Sequence, residues 1–218
     1  MKRFSLFVLT LTFLMVLSVF TTQAQEKKEK NHLKVWTVGI GSKSTKFREA
    51  IQTSQSGGDI WNSWTLAFGH KSYRINSEKL LSFGLFTGSE FEFNFPSQFN
   101  FSPSEGTIIF PMIGWDIFQI GLAAGTSIGG MSLVGHVGAG LTSFLGMVHH
   151  DTIDMNYAWL GLGGTPNLGV RLFLSDRLSI GLTHRMGSVK TNHYINGEKI
   201  LDTPTDSSMS SFHLTASF

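Results

Sequence analysis

Two groups of side chains in this sequence have the types and spacing for chemistry. His149-His150-Asp151, with Asp154 close by, brings two imidazoles and two carboxylates together, and neutral imidazole with carboxylate is a common donor set for divalent metal ions. In an extended segment, however, adjacent side chains point to opposite faces, so such a pair rarely closes on one ion. We read the stretch as a solvated loop. The second group is His184 and Ser188, where an imidazole could take the serine proton for attack on an ester, with a carboxylate such as Glu90 orienting the ring. His184 shares parity with Leu182 and Met186, which puts it on the apolar face, away from a polar site. A third candidate is the run Gly121, Gly125, Gly129, Gly130, Gly135, Gly138 and Gly140, but it has no Lys-Ser/Thr ending and no strand-to-helix context for a phosphate loop. Inward-facing Gly121, Ala123 and Gly125 could instead leave a cavity for an acyl chain. We assign no catalytic, cofactor-binding or metal-binding residue, and expect a protein that is not an enzyme and carries no cofactor.

The elements that hold these residues are strands. In Ser211-Phe212-His213-Leu214-Thr215-Ala216-Ser217-Phe218 apolar and polar residues alternate up to the last position, as successive strand side chains require when one face is apolar. The same period appears in Trp36, Val38 and Ile40, then in Trp64, Leu66 and Phe68. It is clearest where Leu81, Phe83, Leu85, Phe91 and Phe93 share one parity and Ser82, Gly84, Gly88, Glu90 and Glu92 the other, with Phe86 breaking the pattern. Residues 107–114 read as a strand with Ile108, Phe110 and Met112 on one face. Leu168, Val170, Leu172 and Leu174 lead through Ser175-Asp176-Arg177 into Leu178, Ile180 and Leu182, a hairpin by period and turn chemistry. Polar stretches at 42–59, 94–106 and 187–206 read as long loops. The glycine-rich region from Ile120 to Gly146 can be read as one strand and a loop, which gives about eight strands, or as two, which gives about ten. We take eight.

Composition narrows the setting. Lys2 and Arg3 precede an apolar run from Phe4 to Phe20, followed by Thr22-Gln23-Ala24, the pattern of a secretory leader cut after Ala24. The expected organisation is therefore a leader at 1–24, a short periplasmic tail at 25–33 and a barrel at 34–218. With no cysteine the chain has no disulfide framework, no thiolate metal site and no cysteine to carry a lipoprotein lipid. Charged residues make up only 15% of the chain beside 24 glycines and 19 phenylalanines, well below the usual quarter for a soluble domain. Charge this sparse and this balanced excludes the basic surface of a nucleic-acid binder. No apolar stretch after the leader is long enough for a spanning helix, so any membrane crossing is by strands.

Period alone leaves open which face looks outward, and a lipocalin-like carrier would show the same alternation. The polar face carries Lys71, Glu90, Glu92, Arg171 and Arg185; inside a narrow barrel, whose lumen only just accommodates side chains, these charges could neutralise one another. Aromatic residues near strand ends, such as Trp36, Trp61, Trp64 and Phe91, suit membrane interfaces.

Terminal alternation ending in Phe218, short turns set against long loops, and the stretch from Asn167 to Leu182 together resemble the small outer-membrane β-barrel family of the OmpA and OmpX type. The resemblance covers nearly the whole chain after the leader and rests on pattern. It implies an all-β fold, a closed antiparallel transmembrane β-barrel. It also implies the outer membrane of a Gram-negative bacterium, contact with outer-membrane lipids including lipopolysaccharide, and delivery to the barrel-assembly machinery through the strand ending in Phe218. A monomer with a structural or surface-interaction role through extracellular loops, and a largely plugged interior, is the function it implies. The peptidoglycan-binding domain of two-domain relatives is not expected, since the barrel runs to Phe218. His184-Arg-Met-Gly-Ser188 departs from the His-X-Ser spacing of barrel enzymes that deacylate lipopolysaccharide, which leaves such an enzyme as the alternative, followed by a small pore.

If the leader reading is right, mass spectrometry of the secreted protein finds Gln25 as its first residue; a mature chain that still begins in the apolar run would contradict it.

Overall fold

A computed structural model describes residues 32–47, 60–76, 79–99, 107–151, 154–175 and 178–217. The expected leader, Phe218 and the Asp176-Arg177 pair of the late hairpin lie outside them. The strands are β1 (Leu33–Phe47), β2 (Ile60–Arg74), β3 (Ser82–Phe99), β4 (Thr107–Ile109), β5 (Met112–Ile128), β6 (Met131–His150), β7 (Met155–Phe173), β8 (Ser179–Ile195), β9 (Glu198–Lys199) and β10 (Thr205–Ser217). Eight long strands form an antiparallel ring in the order β1-β2-β3-β5-β6-β7-β8-β10. It closes where β10 pairs with both β8 and β1, with Phe212 opposite His184 on one side and Ser42 on the other. The short β4 extends the sheet beside β6, and β9 folds back on β8.

The count of eight holds, but the strands lie differently from the sequence reading. The region from Ile120 to Gly146 contains parts of two strands, joined by Gly129-Gly130 at φ 60° and 85°. Positive φ at both central residues is the requirement of a tight hairpin turn. The total stays at eight because 107–114, expected as a strand of its own, is divided at Phe110-Pro111 between the small β4 and the start of β5. That break also separates side chains expected on one face: Ile108 and Phe110 are exposed while Met112 is buried.

Strands also run well into the expected loops. β1 continues through Phe47, β3 through Phe99 and β8 through Ile195. In these extensions polar residues appear on both faces, as in Ser42-Lys43-Ser44-Thr45, so hydropathy no longer alternates cleanly although the backbone ladder persists. Ser44, for example, still pairs with Asn62 and Ser210.

Burial alternates along each strand and assigns the faces. Ile40, Phe83, Leu122, Val137, Leu168 and Leu214 look outward, with Phe83 75% and Leu122 65% exposed. Lys71, Glu90, Glu92, Arg171 and Arg185, the charges of the predicted polar face, are all buried inside. Phe86, the exception in its strand, is wholly buried because it shares the inward parity of Glu90 and Glu92. A β-bulge shifts the register of β5 between Asp116 and Phe118, so that Asp116 and Gln119, an odd number of residues apart, both face inward. One extra residue in a strand has this effect on every side chain beyond it.

Inside the ring, side chains sort by height. At the end with the short turns, Val35, Tyr73, Ile75, Phe86, Ala123, Val134 and Phe173 form an apolar layer. At the other end Met112, Phe144, Trp159, Val189 and Met209 form a second. The proposed acyl cavity at Gly121, Ala123 and Gly125 falls in the first layer and is occupied: Ala123 packs in it, and a Cβ on Gly125 would lie 2.6 Å from Ile75 Cδ1. Replacing Phe86 by Ala removes the ring at the centre of this layer and is expected to destabilise the protein by about 3–5 kcal/mol, read as a lower urea midpoint in detergent micelles; an unchanged midpoint would show the layer to be loosely packed.

Candidate functional site

Between the two apolar layers lies a network of charges. Arg185, on β8, is its hub. Its guanidinium donates to Glu90 Oε1 through Nη2 and to Glu92 Oε1 through Nη1, and Nη1 lies 2.5 Å from Asp116 Oδ2. Glu90 and Glu92 project from β3 two residues apart and so share the inward face, while Asp116 reaches the same point because of the bulge in β5. Lys43 Nζ donates to Glu92 Oε2 at 2.9 Å, and Lys71 Nζ lies 3.4 Å from Glu90 Oε2. His213, from the closing strand β10, places Nδ1 2.7 Å from Glu90 Oε1. All these side chains are buried.

Neutral donors surround the ions. Asp116 accepts from Thr142 Oγ1 at 2.5 Å and from Gln119 Nε2 at 2.6 Å, and Thr142 in turn accepts from Thr165 Oγ1 at 2.6 Å. Lys71 donates to Thr183 Oγ1 at 2.9 Å, across the lumen from β2 to β8. Closer to the short turns, Arg171 donates to Ser179 Oγ at 2.7 Å and to Thr215 Oγ1 at 2.5 Å. Gly181 makes room for it, since a Cβ there would lie 2.8 Å from Arg171 Nη2. The network therefore draws on all eight ring strands and ties opposite walls of the barrel together.

Glu90, Glu92 and His213 lie close enough to share a metal ion. Their carboxylates already face Arg185, Lys43 and Lys71, so an added divalent cation would meet three positive charges. The donor set fits an ion-paired cluster better than a metal centre.

The residues singled out from sequence fall elsewhere. His149 Nε2 is 2.7 Å from Asp151 Oδ1, and its Nδ1 is 3.0 Å from Asn156 Oδ1, so both ring nitrogens are engaged in local contacts at the strand end. His184 lies on the outer face, stacked on Phe212 with ring centroids 4.0 Å apart, its Nδ1 3.0 Å from the Ser211 carbonyl. Ser188 is on the same outer face but four residues further along β8, a rise of about 13 Å at strand geometry. Glu90 is inside. The three therefore do not form a nucleophile, base and orienting acid.

Lys43, Asp116 and His213 belong to the network but carried little sequence signal. Lys43 sits in a stretch that reads as loop, and Asp116 is displaced by the bulge. His213 was visible only as a member of the polar face of the last strand.

No protein-family model and no curated protein matches the chain. Among solved structures, the crystal structure of Neisserial surface protein A (NspA) is similar, with 16% sequence identity and a TM-score of 0.38, covering 84% of this chain and 97% of that one. A likeness that distant assigns neither location nor activity.

Replacing Arg185 by Met leaves three buried carboxylates short of their shared partner, and is expected to cost about 3–5 kcal/mol. The exposed pair Lys190–Asp206, at 2.6 Å, offers the contrast: its removal is expected to cost less than about 1 kcal/mol. Urea unfolding of both variants in micelles tests the difference, and equal costs would deny the network its structural role.

Proposed function

We propose that this chain is an outer-membrane β-barrel protein of a Gram-negative envelope, with a structural or surface-interaction role carried by its loops and a plugged interior. The observation that carries the reading is its inverted distribution of polarity. Large apolar side chains cover the outside of the ring, including Ile40, Phe68, Phe83, Leu122, Leu182 and Leu214, while Lys43, Lys71, Glu90, Glu92, Asp116, Arg171 and Arg185 face the lumen. In water an apolar belt of this extent would drive association; against lipid it is at home. Closure serves the same end, because a ring of paired strands leaves no open sheet edge to the hydrocarbon. The ring strands, at 13–20 residues, exceed the roughly 9–11 needed to cross a bilayer, so they extend beyond it at the loop end.

In this reading the short turns and the amino-terminal end of β1 face the periplasm, and the opposite strand ends, where β1 stops at Phe47, β3 at Phe99 and β8 at Ile195, face outside. Outer-membrane lipids, including lipopolysaccharide, surround the belt, and the closing strand β10 is the segment presented to the barrel-assembly machinery. We take the barrel to be monomeric and non-enzymatic. A soluble carrier would need an apolar lumen for its cargo, whereas this lumen is filled by ions between two apolar layers. The same filling opposes a steady pore.

Fractionation of cells expressing the full chain, with gel mobility measured before and after boiling, tests the proposal. Outer-membrane recovery with a heat-modifiable band is expected. A periplasmic protein with unchanged mobility would overturn it. Planar-bilayer recording is expected to show no reproducible conductance steps, and discrete steps would replace the plugged barrel by a pore.

A further inference from the structure

The interior charges do not balance. Glu90, Glu92 and Asp116 face three cations, Arg185, Lys43 and Lys71. Arg171 is a fourth buried cation, 1% exposed, and its hydrogen-bond partners are the neutral hydroxyls of Ser179 and Thr215. Among the described residues no carboxylate pairs with it. A buried ion without a counter-charge is strongly disfavoured.

Around Arg171 the unused polar groups include several that can donate. Its own Nε–H has no acceptor, and neither does the hydroxyl of Tyr73, which is wholly buried. That hydroxyl oxygen lies beside the guanidinium and within its hydrogen-bonding reach, and since a guanidinium cannot accept, the O–H itself stays free to donate. His136, also buried, has both ring nitrogens without a partner, and a neutral imidazole always offers one N–H. Its ring centroid is 5.7 Å from that of Tyr73 and 4.1 Å from that of Phe86. Phe173 meets Tyr73 edge to face at 5.9 Å, completing an aromatic wall. The three groups come from β2, β6 and β7, so the ring, and no single loop, brings them together.

We propose that Arg171, Tyr73 and His136 form a binding site for a small monovalent inorganic anion of the chloride class, inside the barrel between the charge network and the apolar layer at the short-turn end. Surplus positive charge sets the sign of the ligand. Three N–H and O–H donors on an aromatic floor set its size, since a larger oxyanion would need more acceptors satisfied than these groups supply. The anion completes the neutralisation of the lumen, and folding and halide binding are therefore linked.

The test uses the purified protein in detergent micelles, with sodium chloride or bromide exchanged for sodium gluconate at constant ionic strength. A ligand held only by the folded state shifts the folding equilibrium by the factor 1 + [L]/Kd. The unfolding midpoint is expected to rise saturably with halide and to stay flat with gluconate. Arg171→Gln is expected to abolish the response, and Tyr73→Phe, which removes one hydroxyl and keeps the ring, to weaken it. Crystals grown in bromide are expected to show an anomalous peak beside Arg171 Nε. Equal midpoints in halide and gluconate, an undiminished response in Arg171→Gln, or bromide crystals without a peak at Arg171 would each overturn the site. None of these readouts depends on the membrane in which the barrel works.

Discussion

The interaction on which the rest depends is the contact of the Arg185 guanidinium with three carboxylates, from β3 and β5, at the centre of the ring. An ordinary domain puts its apolar residues at the centre and its ions outside. Here the arrangement is reversed, and the reversal has to be made stable at the point of greatest burial. A planar fork of N–H donors suits this task better than a single ammonium, because it can serve several carboxylate oxygens at once. Lys43 from β1 and Lys71 from β2 then meet the remaining oxygens of Glu92 and Glu90, and His213 from β10 shares Glu90 Oε1 with Arg185, so ring closure and charge pairing depend on each other.

The two apolar layers above and below the ions bear on the same point. Ions screened by water attract weakly, whereas ions enclosed in a medium of low polarisability attract strongly. Phe86, Tyr73 and Phe173 at one end, and Trp159, Phe144 and Met112 at the other, hold the network in such a medium. The barrel is thus a stack of apolar, ionic and apolar layers within a wall whose outer surface is again apolar. This order braces the wall from within without a conventional core.

Much of this was legible in the sequence where a strand has one apolar and one polar face. The late hairpin, the closing strand and the inward placing of Lys71, Glu90, Glu92, Arg171 and Arg185 follow from period two, while the count of eight came out through two offsetting readings, at 107–114 and at 120–146. Legibility failed where that contrast disappears. Strand ends with polar residues on both faces, such as Ser42-Lys43-Ser44-Thr45, read as loops, which concealed Lys43. Glycine at both parities hid the hairpin at Gly129-Gly130. The bulge before Phe118 inverted the parity of β5, so Asp116 and Gln119 could not be assigned to the same face by counting. His184 and Ser188 looked chemical because of their types; geometry separates them along the outside of one strand.

The most direct test of the inverted wall is a set of single cysteines at 179, 180, 182, 183, 184 and 186 of β8, which spares Gly181 and Arg185 and is possible because the chain has no cysteine of its own. Each would carry a nitroxide label, with the protein reconstituted in lipid vesicles and the label probed by oxygen, which partitions into lipid, and by a water-soluble nickel chelate. The account predicts oxygen accessibility peaking at 180, 182, 184 and 186 with little exposure to nickel, and low values for both reagents at 179 and 183. Nickel accessibility at the even positions, or no period of two, would contradict it.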